Sequence, residues 1–158
     1  MAFRPARASD LEAVLTWVPD AVACATWAGP KVRFPLRLDQ LLAAIEFEMT
    51  HTYVFEEPAD LLALGQIRLF DNSRGGNRGH LSRIIVNPAY RDRGIGEAFV
   101  RNLIAEAQRL GCHPITLHVV KENATAIRLY ERVGFVAPAK QPDHLRPGIT
   151  YMELMTSQ

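Results

Sequence analysis

Apolar and polar positions along this chain change their period from segment to segment, and each change marks an element. Ile95, Phe99, Val100, Leu103, Ile104, Ala107 and Leu110 recur at helical spacing, and Gly111 is placed to stop the helix. On either side the period shortens to that of strands. Leu81 to Val86 is a largely apolar run ending at Asn87-Pro88, and Ile115 to Val120 puts Ile115, Leu117 and Val119 on one face with Thr116, His118 and Val120 on the other. Upstream, the pattern predicts a short strand around Phe3 to Ala6, a helix opened by Ser9 and running to about Trp17, a second near Asp20 to Trp27 and a third after Asp39. Thr52 to Glu57 and Leu61 to Phe70 read as a hairpin around Glu57-Pro58-Ala59-Asp60, and Asp71 to Gly79 as the Gly- and Arg-rich turn that follows it. A Pro-containing loop from Pro138 to Pro147 leads to a last strand at Thr150 to Met155. This alternation predicts an α/β (α+β) fold, a mixed sheet with helices on both faces. With 158 residues, 48% of them hydrophobic, one core is expected, and so a single domain over 1–158.

The most informative stretch is the junction between the Leu81 strand and the Ile95 helix, Arg91-Asp92-Arg93-Gly94-Ile95-Gly96. A strand that empties into such a turn and then a helix gathers free backbone N–H groups and the positive end of a helix dipole at one point, which suits a phosphate. The glycines let a ligand approach the backbone, and Arg91 and Arg93 can add charge-assisted hydrogen bonds. A Walker loop is excluded, because Gly96 is followed by Glu97 and Ala98 instead of Lys and Ser or Thr. A dinucleotide fingerprint would need a small residue where Phe99 stands, although Glu122 could imitate its ribose-binding acid.

About thirty residues further on, Asn123 is followed by Ala126, Leu129-Tyr130 and Gly134-Phe135. Together with Arg91-x-x-Gly94-x-Gly96, this second segment resembles the signature of the Gcn5-related N-acetyltransferase (GNAT) family, over roughly Leu81 to Val136. The resemblance implies a GNAT-like mixed, mostly antiparallel twisted sheet and an acetyl-coenzyme A-dependent N-acetyltransferase. It implies that the backbone of Ile84, Ile85 and Val86 pairs with the pantetheine arm and that Arg91, Asp92, Arg93, Gly94, Ile95 and Gly96 hold the pyrophosphate. Asn123 would contact the pantetheine side, and Tyr130 would stand near the sulfur. It also favours direct attack by a primary amine within a ternary complex. The contrasting expectation is a non-catalytic acyl-coenzyme A-binding sensor or partner-binding module on the same fold.

Acetyl transfer from a thioester to an amine needs a neutral amine, support for a developing oxyanion and a proton for the departing thiolate. Tyr130 can supply the proton. Twelve residues before it, His118 is the candidate base, at a position where ribosomal-protein N-terminal acetyltransferases of the family carry glutamate; an imidazole near pKa 6.5 can accept a proton at neutral pH. His80, Glu56 and Glu57 are the reserves. The acceptor is expected near the first helices, with Trp27 beside its Gly-Pro turn as a candidate contact and Trp17 read as core.

Lys plus Arg exceeds Asp plus Glu by only one, 18 against 17, which gives no reason to expect nucleic acid or membrane as a partner. The expected partner is a small-molecule or peptide amine, with a homodimer left open. Arg74 and Arg78 read as a solvated hairpin tip. Cys24 and Cys112 are too few for a disulfide framework, and no metal is expected. The start of the chain lacks the apolar run of a signal peptide, so the expected location is cytoplasmic.

Overall fold

A computed structural model describes residues 1–71 and 75–155. Six strands form one sheet in the order of the chain: β1 (Ala2–Pro5), β2 (His51–Glu57), β3 (Asp60–Asp71), β4 (Asn77–Val86), β5 (Cys112–Val120) and β6 (Ile149–Leu154). The helices are α1 (Asp10–Leu15), α2 (Ala21–Ala28), α3 (Leu38–Ala44), α4 (Ile95–Arg109) and α5 (Ala124–Arg132). Strands β1 and β2 pair antiparallel, β4 and β5 parallel, and β5 and β6 antiparallel. The chain clusters into two units, Met1–Gln66 with Arg83–Phe99, and Ile67–Ser82 with Val100–Gln158.

In the first unit α1 to α3 bury Leu11, Val14, Trp17, Cys24, Leu41 and Ile45 in one cluster with Val54, Leu64 and Ile85 of the sheet. Trp17 is therefore core, as its place in an amphipathic segment predicts. Neighbouring positions on β2 point the other way: Phe55 meets Phe99 of α4 edge-on at 5.1 Å, and Phe3 of β1 stacks on Tyr53 at 5.0 Å. Helices thus cover both faces of this part of the sheet. Arg4 joins β1 to α1 through two bonds to Asp10, of 2.9 and 3.0 Å, and to β2 through Glu56 at 2.9 Å. Asp20 caps α2 by accepting from the Ala23 N–H at 2.8 Å, whereas Ser9, expected to open α1, makes no side-chain cap.

In the second unit Ile115, Leu117 and Val119 are buried and His118 is exposed, but Thr116, expected on the His118 face, is buried too, so burial alternates only at the end of β5. Helix α4 ends where Gly111 takes φ 79, the left-handed stop that glycine accepts. The turn expected over Asp71 to Gly79 is shorter than its glycines suggest, because β4 already begins at Asn77. A Cβ at Gly79 would lie 2.8 Å from Cys112 Sγ and 3.7 Å from Ala107 of α4, so this glycine serves close packing and not a reversal. Arg74 lies outside the described residues. Arg78 is exposed, with its guanidinium 4.9 Å over the Phe70 ring.

Candidate active site

The β4-to-α4 junction is built by Asn87. This side chain, 8% exposed, donates to Leu61 O at 2.9 Å and accepts from Ala89 N–H at 3.0 Å, while its own N–H reaches Leu62 O at 2.8 Å. The end of β4 is thereby fixed to β3, and Pro88 to Tyr90 form a single tight turn. Asp92 follows at φ 63 and Gly94 at φ 75, and Gly94 O accepts the first bond of α4 from Ala98 N–H at 3.2 Å. No atom lies within 4 Å of a Cβ built on Gly94. The glycine is needed for its backbone angle, and the space it leaves is open. Arg91, Asp92 and Arg93 are exposed; Arg91 Nε donates to Val86 O at 3.3 Å, and the Arg93 guanidinium lies 5.3 Å over the ring of Tyr90, whose hydroxyl donates to Asp60 at 2.9 Å. Ile95 is buried and anchors the first turn of the helix. The N-terminus of a 15-residue helix, two arginines and an uncrowded left-handed turn are groups of the kind that suit an anion.

One feature of this region is not visible in the sequence. Arg83, in the middle of β4, has φ 51, a left-handed value inside a strand. Its carbonyl accepts from the Trp27 indole at 2.9 Å, and its guanidinium donates to Ala28 O at 3.3 Å and to Gln66 Oε1 at 3.1 Å. Gln66 is fully buried and its amide donates to Ile45 O and Thr52 Oγ1. The β4–β5 ladder has its last register pair at Leu81 and Leu117, two residues before this kink. No glycine or asparagine at position 83 signals a bulge, and Gln66 looks like an ordinary polar strand residue.

In the second unit Asn123 caps α5 by accepting from Ala126 N–H at 3.2 Å. Two residues beyond the middle of that helix, Tyr130 meets Phe135 edge-on at 6.0 Å, and Phe135 N–H closes the helix end on Tyr130 O at 2.9 Å. The Tyr130 hydroxyl makes no hydrogen bond among the described residues, and desolvation pushes its pKa up to about 12. His118 lies with its ring 4.6 Å from His80 and 6.1 Å from Tyr151. Desolvation lowers its pKa below 6.5, helped by the nearby His144 and Arg146. His80 is engaged with Thr116 Oγ1 at 2.8 Å. Glu56 is a poor reserve base, because the Arg4 hydrogen bond holds its carboxyl below the usual range. Cys24 and Cys112 are buried thiols whose pKa values burial raises, the opposite of an activated nucleophile. Among the described residues there is no cluster of metal ligands.

Comparison with known proteins gives this arrangement a kinship. The model of the Acetyltransferase (GNAT) family matches residues 16–135. The chain belongs to the GNAT family. Curated relatives include the L-methionine sulfoximine/L-methionine sulfone acetyltransferase of Salmonella typhimurium, 36% identical over 59 residues, 37% of this chain and 34% of that protein. The [ribosomal protein bS18]-alanine N-acetyltransferase of Escherichia coli is 42% identical over 55 residues, 35% of this chain and 37% of the relative. The chain thus spans only about a third of the length of these relatives. Among solved structures, yncA of Salmonella typhimurium, a protein taken to be an acetyltransferase and solved with its cofactor acetyl-CoA, superposes with a TM-score of 0.72 at 25% identity, covering 100% of this chain and 95% of that one. The ribosomal-protein-S18-alanine N-acetyltransferase of Escherichia coli superposes with a TM-score of 0.73 at 23% identity, over 99% and 94% of the two chains, and establishes a shared GNAT fold.

Proposed function

We propose that this GNAT chain is an acetyl-coenzyme A-dependent N-acetyltransferase, a single catalytic domain that moves an acetyl group to a primary amine by direct attack within a ternary complex. The observation that carries the reading is the β4-to-α4 junction, where Gly94 at φ 75 opens the start of α4 directly after exposed Arg91 and Arg93. Main-chain N–H groups of residues 91 to 96 bind the pyrophosphate, and the backbone of Ile84, Ile85 and Val86 receives the pantetheine arm as an added strand. Asn123 contributes its side-chain N–H₂ on the pantetheine side, since its oxygen is committed to the α5 cap.

In the reaction the amine nitrogen attacks the thioester carbonyl, the bond to sulfur breaks, and the amine sheds a proton. His118, held neutral by its surroundings, takes that proton directly or through water. Tyr130 stays protonated at neutral pH and gives its proton to the departing thiolate. The relatives' names cover an amino-acid analogue and the N-terminal alanine of a protein, which supports a small-molecule or peptide amine as acceptor.

Thiol release from acetyl-coenzyme A with a panel of amino acids, peptides and polyamines tests the reading. At least one acceptor should be turned over, and Tyr130→Phe should lower kcat by about 10²–10⁴-fold, as for loss of a positioned acid, with coenzyme A affinity little changed. Binding without turnover of any amine would support an acyl-coenzyme A sensor instead. Full activity in Tyr130→Phe would remove the tyrosine from the chemistry.

A further inference from the structure

A left-handed φ inside a strand is unfavourable for a residue with a side chain, and it persists only where the surroundings hold it. Arg83, at φ 51, is held at both its backbone and its side chain. The Trp27 indole N–H donates to its carbonyl at 2.9 Å, and Arg83 Nε donates in return to the carbonyl of Ala28 at 3.3 Å. Ala28 is the last residue of α2, so this second bond satisfies one of the carbonyls a helix end leaves over. The guanidinium also reaches Gln66 Oε1 at 3.1 Å. The orientation of that amide is set, because Gln66 Nε2 already donates to Ile45 O at 3.2 Å and Thr52 Oγ1 at 3.0 Å. The end of α2 and the middle of β4 are therefore clasped in both directions.

The clasp has a consequence for the strand. A left-handed residue interrupts the two-residue alternation that a regular strand would carry onward. Arg83 at φ 51 does this immediately before Ile84, Ile85 and Val86, so the kink decides which way these residues turn their backbone.

We propose that Trp27 is a positioning residue for this strand: by holding the Arg83 carbonyl through its indole N–H, it keeps β4 kinked so that Ile84 to Val86 meet the pantetheine arm of the acyl-coenzyme A. The inference rests on the ligand reading given above. It also explains why a tryptophan stands at position 27, since phenylalanine would fill the same space without the donor. The N–H is spent on β4, which leaves only the faces of the ring for any acceptor.

Titration calorimetry of wild type, Trp27→Phe, Arg83→Gly, Arg83→Ala and the double variant Trp27→Phe/Arg83→Gly with acetyl-coenzyme A tests it. Trp27→Phe should weaken binding on the order of 10-fold. Arg83→Gly and Arg83→Ala lose the same guanidinium, yet only glycine adopts φ 51 freely, so the glycine variant should bind several-fold tighter. In the glycine background the kink no longer depends on its clasp, and the cost of Trp27→Phe should shrink. Unchanged affinity in Trp27→Phe, or the same loss in both backgrounds, overturns the proposal while leaving the ligand reading intact. Absence of binding to the folded wild type overturns both. Should Trp27→Phe fail to fold, equal affinities of Arg83→Gly and Arg83→Ala would overturn the role of the kink.

Discussion

At His118 two effects act in one direction: partial burial of the ring penalises the cation, and the charges of His144 and Arg146 penalise it further. A base works in its deprotonated form, so a lowered pKa moves the loss of activity to more acidic solution. The acidic limb of the kcat/KM profile should therefore lie below pH 6.5, the ordinary value for histidine. His118→Ala should lose that limb and about 10²–10⁴-fold in rate, as for removal of a positioned base. A limb that survives unaltered in the variant assigns the proton to another group. The linkage runs the same way: the folded state resists protonation of His118, so stability is lost as pH falls from 6.5, the unfolded value, through the lowered folded value. Tyr130, with its pKa pushed up to about 12, should leave no basic limb in the accessible range. The residue type of His118 and its face of β5 are legible from the alternation of Ile115 to Val120. Its depressed pKa is not, because it comes first from desolvation, which only the fold creates, and then from His144 and Arg146, in a loop that carries no periodic signal.

Among the elements, β4 and its exit into α4 show where sequence reading succeeds and where it stops. The apolar spacing from Ile95 to Ala107 fixes the buried face of α4, and Phe99, Val100, Leu103 and Ala107 are all buried. The strand-turn-helix junction follows from that spacing together with Asn87-Pro88 and the glycines. The kink at Arg83 does not follow, since arginine carries no left-handed preference and its holder, Trp27, is 56 residues upstream. Gly79 misled for a related reason: glycine marks turns in sequence, but here Cys112 and Ala107 demand the missing side chain. Asn87 carries the junction itself. Replacing it with alanine removes its bonds to Leu61 O and Ala89 N–H and leaves a half-buried carbonyl of β3 short of a partner. Asn87→Ala should cost about 1–3 kcal/mol of stability. Because the turn it shapes presents Asp92 to Gly96, coenzyme A affinity should fall with it. A thermal melt and a titration on the same variant check both; a destabilised variant with full affinity would show that the turn holds its shape without Asn87.

For the molecule as a whole, a formal net charge of +1 means that no strong overall field draws in an anionic ligand. Attraction for a pyrophosphate must come from local groups, and at the junction the exposed guanidinium groups of Arg91 and Arg93 supply the positive charge, on either side of the exposed Asp92 carboxylate. Exposed charges are screened over a Debye length of about 10 Å at 0.1 M salt and about 3 Å at 1 M. Coenzyme A affinity should accordingly fall several-fold between those concentrations, and Arg91→Ala/Arg93→Ala should flatten the dependence. Ligand that binds only the folded chain stabilises it by about 2.7 kcal/mol at a hundredfold excess over Kd. For a chain of 158 residues that corresponds to a rise in Tm of roughly 5–10 °C. The two measurements constrain each other, because the same double variant should show both a smaller melting shift at fixed ligand and a weaker response to salt. A melting shift that is large and independent of salt would mean that backbone amides at the start of α4 hold the ligand without help from the arginines.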